Sequence, residues 1–345
     1  MMNIPWGRHY AVAAMLLLTA QTWAQDISPE LAQANVSALP NYRVSLPKHV
    51  RYPNGITHSS QGDLYVGSVS NGEIVRLGKD GSHDLVFAAS EDIYSVTSLR
   101  LDEQTGILWV ASPDVRQLQL SNASVKSVTK ANHRIVAIDL AAKKILQIWD
   151  MPKQGFGNDL TLDGQGGVYV SDSINSAVYH LASVDGPMQL MIHSPELVAQ
   201  PLGPAGITRD PQGELILGLY SEGSLFRVVK HKKRHSLVKL PLTRALENPD
   251  GLLALSAGQL LVLEGAMTSG DGKLSVIDSS VSPHTVTTLV SGIESPLNFT
   301  LQGSSLYITE SRIRQRLLGN SSAPEPTEFF LRVVDISSLQ REHLL

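Results

Sequence analysis

The chain has no cysteine among its 345 residues. That excludes a disulfide framework, a thiolate metal site and a thiol nucleophile. Aromatic side chains are few, at 6%, and charged ones reach only 17%, with a net charge of −4. So balanced a chain offers no strongly basic surface for nucleic acid or an anionic membrane. No G-x-S-x-G, H-E-x-x-H or G-x-x-x-x-G-K-S/T pattern occurs. This argues against a serine-hydrolase elbow, a zincin helix and a P-loop. After residue 24, no apolar run reaches the ~18 residues that a membrane span requires.

Residues 1–24 have the pattern of a secretory signal peptide. Arg8 and His9 precede the apolar run Tyr10–Ala20, and Thr22-Trp23-Ala24 places small residues at the −3 and −1 positions of a cleavage site. The expectation is an exported protein, periplasmic or secreted, and the lack of cysteine is consistent with a bacterial periplasm. Residues 25–40 read as a lead-in segment. Residues 41–345 read as a single domain, because closed all-β folds of this length form one unit.

The stretch GFGNDLTLDGQGGVYVSDS (155–173) supplies the frame of that domain. Leu160, Leu162, Val168 and Val170 alternate with polar or small residues, and Asp163–Gly167 makes the turn between two strands. Counted from Asn158, Gly166 falls at +8, Tyr169 at +11 and Asp172 at +14. The frame recurs from Asn54, Ser98, Ala205 and Asp250, and in a shortened form from Leu297. These anchors lie 44, 60, 47, 45 and 47 residues apart. Units of four strands at ~40–50 residues are the signature of propeller blades. The expected fold is an all-β, six-bladed β-propeller.

A third strand follows each hairpin, at 72–77, 134–140, 176–181, 223–229, 273–279 and 329–336. A fourth follows in five units, at 84–89, 144–150, 188–194, 236–242 and 285–291. The sixth unit has none of its own. NYRVSLP (41–47) would supply it, pairing the two ends of the domain and leaving no open edge. The long connections 113–133, 265–272 and 311–328 all open on the face that carries the anchors, where long insertions usually mark a binding surface. The basic run Lys230–His235 joins a third strand to a fourth and reads as a solvated hairpin tip on the opposite face.

Asn54, Ser98, Asn158, Ala205, Asp250 and Leu297 should converge on the propeller axis. Side-chain oxygens from separate blades aimed at one axis suit Ca²⁺, or a more weakly held Mn²⁺ or Mg²⁺. The +14 positions add Asp172, Glu264 and Glu310 on the same face. They are candidates for substrate contact, for general-base work, or for caps on rim N–H groups. Acids gathered without a nearby Lys or Arg repel one another unless a cation or protons relieve them.

PNGITHSSQGDLYVGS (53–68), GNDLTLDGQGGVYVSDS (157–173) and PDGLLALSAGQLLVLE (249–264) resemble the SMP-30/gluconolactonase/LRE-like family. Its relatives include the calcium-dependent arylesterases called paraoxonases. The resemblance spans about residues 41–336 and is specific in the Asn-Asp and Pro-Asp-Gly motifs. It implies a divalent metal, Ca²⁺ first and Mn²⁺, Mg²⁺ or Zn²⁺ as alternatives, held by Asn54, Asn158 and Asp250. It further implies that Asp250 helps a metal-polarised water attack a lactone or ester carbonyl. Ser98, Asp172, Glu264 and Glu310 are the expected substrate contacts. Three positions depart from the family pattern. Asn54 stands where a Glu is expected, Ala205 replaces an Asn, and Ser98 stands where some members carry a substrate-contacting Asn. With a single carboxylate among the anchors, a non-catalytic propeller binding a small molecule or protein on the same face is the alternative expectation.

Overall fold

The structure, a computed structural model, describes residues 39–341 apart from 116–118, 122–123, 127–132, 233, 256–257 and 319–324. The expected leader, 1–24, and nearly all of the lead-in lie outside the described residues.

Each repeat folds as a four-stranded antiparallel sheet, as its alternating pattern predicts. In the third, Leu160, Val168 and Val170 are fully buried, and Asp163 ties the turn by accepting from the backbone N–H of Gln165 at 2.7 Å and Gly167 at 2.9 Å. Gly166 takes φ 101° there, a backbone shape that a side chain would strain. The innermost strands of the six sheets are Pro53–His58, Ser98–Asp102, Gly157–Leu162, Pro204–Arg209, Pro249–Ala254 and Pro296–Gln302. They touch one another in that order, and the sixth touches the first. The ring is a six-bladed propeller. Its apolar core sits between neighbouring blades, as in the cluster of Trp109, Ile135, Leu160 and Val170 between the second and third.

The sixth sheet is completed from the other end of the chain. Asn41–Ser45 pairs antiparallel with Phe330–Asp335, in register from Asn41 opposite Val334 to Ser45 opposite Phe330. This is the expected closure, with a paired strand shorter by two residues than the expected 41–47. Burial of this outer strand is slight, so its fixation depends on polar contacts. Arg43 reaches across Phe330–Asp335 to Glu310 of the strand Ser305–Glu310, which Arg332 also binds.

The inner strands approach closely at the axis. A Cβ on Gly206 would lie 1.7 Å from the carbonyl oxygen of Asp250, so only glycine lets the fourth and fifth blades meet here. Five of the six inner strands also carry a β-bulge at the anchor, for example between Pro53 and Ile56. The second blade has none and pairs regularly from Ser98 opposite Ala111 to Asp102 opposite Ile107. Among the described residues no helix is long and apolar enough to cross a membrane.

Candidate functional site at the front of the axis

The anchor face carries a small cavity of about 50 Å³. Asn54, Asn158 and Asp250 all line it, so three anchors expected to share one point are brought together. Leu297 joins them, and Thr97 lines the cavity where Ser98 was expected. The missing bulge explains the shift. Without the extra residue, Leu99 of the second blade faces Val110 as Ile56 of the first faces Val66. The residue two before this buried position is Thr97 in one strand and Asn54 in the other. Ser98 therefore falls one ring deeper. The sequence carries this signal as VTSL beside PNGI, GNDL, PAGI and PDGL, once the strands are aligned on the buried apolar residue.

Side chains from the long front loops complete the wall. Val115 comes from the second blade's insertion, Ile313 and Leu317 from the sixth blade's, and Phe156, Leu202 and Tyr220 from the third and fourth blades. Arg314 ties two of these insertions together, donating to the carbonyls of Met267 at 2.6 Å and Thr268 at 3.0 Å.

Asn158 is held with its amide in one orientation. The Ser173 hydroxyl donates to the Pro204 carbonyl at 2.5 Å, so it accepts from Asn158 Nδ2 at 2.9 Å. Asn158 Oδ1 has no partner among the described residues. Asp250 is only 8% exposed, yet its carboxyl has no hydrogen-bond partner among the described residues. Burial pushes its pKa well above the ordinary aspartate value, and the negative charge of Asp159 adds to the shift. The Tyr220 phenol is likewise raised well above its usual range, by burial first and then by the charges of Asp250 and Glu247.

Asp159, one residue beyond Asn158, was not singled out from the sequence. It is 1% exposed and collects four donors. Ser98 Oγ lies at 2.6 Å, Arg100 at 3.0 Å and Asn298 Nδ2 at 3.2 Å from Oδ1, and the Ile207 N–H lies 3.3 Å from Oδ2. Two buried carboxyls thus sit side by side on the axis, one fully paired and one bare.

The remaining expected contacts are elsewhere. Ser98 is fully buried and engaged with Asp159. Asp172 caps the rim, accepting from the backbone N–H groups of Phe156 at 2.9 Å, Ile174 at 3.1 Å and Asn175 at 3.0 Å. Glu264 binds Arg244 through both oxygens, at 2.8 and 2.7 Å, together with Ser275 Oγ and the Glu247 N–H. Glu310 is held by Arg43 and Arg332. None of the four lines the front cavity. The expectation that rim acids lack local cations is overturned for Glu264, whose Arg244 comes from the connection before Pro249–Ala254, and for Glu310, whose arginines come from two other strands.

No group of three His, Asp or Glu side chains suited to a metal occurs among the described residues. The oxygen donors that could hold a cation here are the two amides and the one bare carboxyl of Asn54, Asn158 and Asp250. The buried, unpartnered Asp250 fits a hard cation, and a single carboxylate implies modest affinity. An amide-and-carboxylate set suits Ca²⁺ or Mg²⁺ better than Zn²⁺.

No protein-family model matches the chain, and no curated protein matches it. Solved structures do share its fold. A gluconolactonase from Xanthomonas campestris superposes with a TM-score of 0.59 at 14% identity, over 87% of this chain and 93% of that one. Virginiamycin B lyase from Staphylococcus aureus gives 0.54 at 14% identity, over 86% and 99%. The PQQ-bound aldose sugar dehydrogenase of Streptomyces coelicolor gives 0.53 at 12% identity, over 86% and 99%. At such identities the likeness concerns the propeller fold alone, which hosts proteins of quite different activities.

Proposed function

We propose that the front cavity is the active site of an exported hydrolase of lactones or related esters, dependent on one divalent cation. The observation that carries this reading is the bare, buried Asp250 carboxyl sharing one cavity with the side chains of Asn54 and Asn158. Gluconolactonases among the structural neighbours are consistent with it. The three anchors would hold the cation, Ca²⁺ before Mn²⁺ or Mg²⁺. When bound, it supplies Lewis-acid polarisation of the carbonyl and stabilises charge developing on its oxygen. Asp250 would accept the proton of the attacking water. Phe156, Leu202 and Leu297 would receive the carbon skeleton and keep bulk water out.

The apolar lining and the single carboxylate also favour a second reading, a non-catalytic receptor for a small molecule. One experiment separates the two. The chelated protein is reloaded with each divalent ion, and hydrolysis of δ-valerolactone and phenyl acetate is followed alongside thermal melting. The enzyme reading expects ion-dependent turnover, a raised melting temperature, and a loss of about 10²–10⁴ in kcat on Asp250→Asn. No turnover and no ion-dependent shift in melting would remove it.

A further inference from the structure

The axis has a second opening, on the face opposite the anchors. It is a funnel of about 600 Å³, within the range that holds a small ligand. Three residues beyond the anchor level, the inner strands present Thr57, Arg100, Thr161, Thr208 and Thr300 to this funnel, with Leu253 in the remaining place. Threonine suits a strand whatever its role, so the pattern alone is no site. The hydrogen bonds separate its two sides. On one, Thr57 Oγ1 accepts from the Leu101 N–H at 3.3 Å, Thr300 Oγ1 is joined to His58 Nδ1 at 2.6 Å, and Glu103 is engaged by the Ser60 N–H and hydroxyl. Burial lowers the His58 pKa, so that side carries no added positive charge.

On the other side the groups are unspent. The hydroxyls of Thr161 and Thr208 have no partner among the described residues, and Thr208 is 6% exposed. Arg209 beside it gives one N–H to the Asp163 carbonyl at 2.6 Å and has no carboxylate partner among the described residues. A guanidinium with free donors, in the wall of a funnel that also presents two uncommitted hydroxyls, is complementary to a carboxylate that carries hydroxyl groups of its own.

We propose that the rear funnel binds a small hydroxy acid, its carboxylate on Arg209 and its hydroxyls on Thr161 and Thr208. Arg100 and Asp159 stand between this funnel and the front cavity, and the inference does not depend on what the front cavity does. The test is calorimetric titration of the full chain with D-gluconate, with D-glucose and acetate as controls, in EDTA so that no divalent ion bridges the probe. Saturable gluconate binding is expected, with both controls weaker by about tenfold or more. Arg209→Ala should weaken it about tenfold, and Thr208→Val about threefold. Arg209→Lys, which keeps the charge, should fall between the native protein and Arg209→Ala and serves if Arg209→Ala does not fold. Asp250→Asn should leave it unchanged. Absence of saturable binding overturns the proposal. So does binding that survives both Arg209 variants, binding of glucose as tight as gluconate, or binding lost with Asp250→Asn.

Discussion

Two neighbouring levels of the propeller axis solve the same problem in opposite ways. At each level six strands converge and polar side chains must be placed where little water reaches. One level behind the anchors, Asp159 is matched by Arg100, Ser98, Asn298 and a backbone N–H. At the front, Asp250 stands in a small apolar cavity with no donor among the described residues. Structure alone needs only the first arrangement. The second keeps a carboxyl in a state that costs free energy, and the proposed function is built on that carboxyl.

The contrast is broken most severely at Arg100. Arg100→Leu leaves Asp159 buried without its cation, and the expected cost is about 3–5 kcal/mol in urea unfolding. Adding Asp159→Leu removes the stranded charge and should restore most of that loss, because a buried pair contributes little against apolar residues of similar size. A single variant as stable as the native protein would show that the ion pair does not hold the axis.

A smaller effect separates two buried acids by pH. The folded pKa of Asp250 is raised above its unfolded value of 3.8, so its contribution to stability is complete below that value. It is lost as pH rises through the raised pKa. Glu264 runs the other way. Burial pushes its pKa up, but hydrogen bonds from Arg244, Ser275 and the Glu247 N–H outweigh burial and hold it below 4.5. Its contribution is present above 4.5 and fades as pH falls through the lowered value. In EDTA, therefore, Asp250→Asn should flatten the fall in stability on the alkaline side and leave the acid side as it was. Glu264→Gln should reduce the native preference for pH above 4.5. Unfolding midpoints across pH measure both, and parallel curves for Asp250→Asn and the native protein would contradict the assignment.

Most of the fold was legible because it rests on local pattern. A strand alternates, a glycine turns it, and the unpaired strand 41–47 had one place to go. Three anchors were legible for the same reason. Thr97 was not, since a constant spacing assumes a bulge in every blade, and the second blade lacks it. The partners of the acids were hidden by distance along the chain. Arg43 lies 267 residues from Glu310, and Asn298 lies 139 from Asp159. Only ring closure brings such pairs together. Asp159 itself stood in plain view beside Asn158, but its role depends on Arg100, whose direction no repeat of the frame predicts.

The finest change to the comparison is Asn54→Glu, which adds a second acid to the front cavity. Asn54 is 7% exposed and lines the cavity with Asp250. A carboxylate there gains no donor and meets the charge of a neighbour, so without a cation it should cost about 1–2 kcal/mol, equivalent to roughly one pKa unit. A divalent ion reverses the sign of the argument. Two carboxylates bind a hard cation more tightly than one, and binding to the folded state alone stabilises it. The variant should therefore melt lower than the native protein in EDTA and gain more from Ca²⁺, with any lactone hydrolysis raised at limiting ion. If Asn54→Glu is destabilised and no divalent ion rescues it, the front cavity is a receptor for an uncharged molecule. If Ca²⁺ rescues the fold but hydrolysis falls, the Asn54 amide is itself a substrate contact, and the cation rests on Asn158 and Asp250.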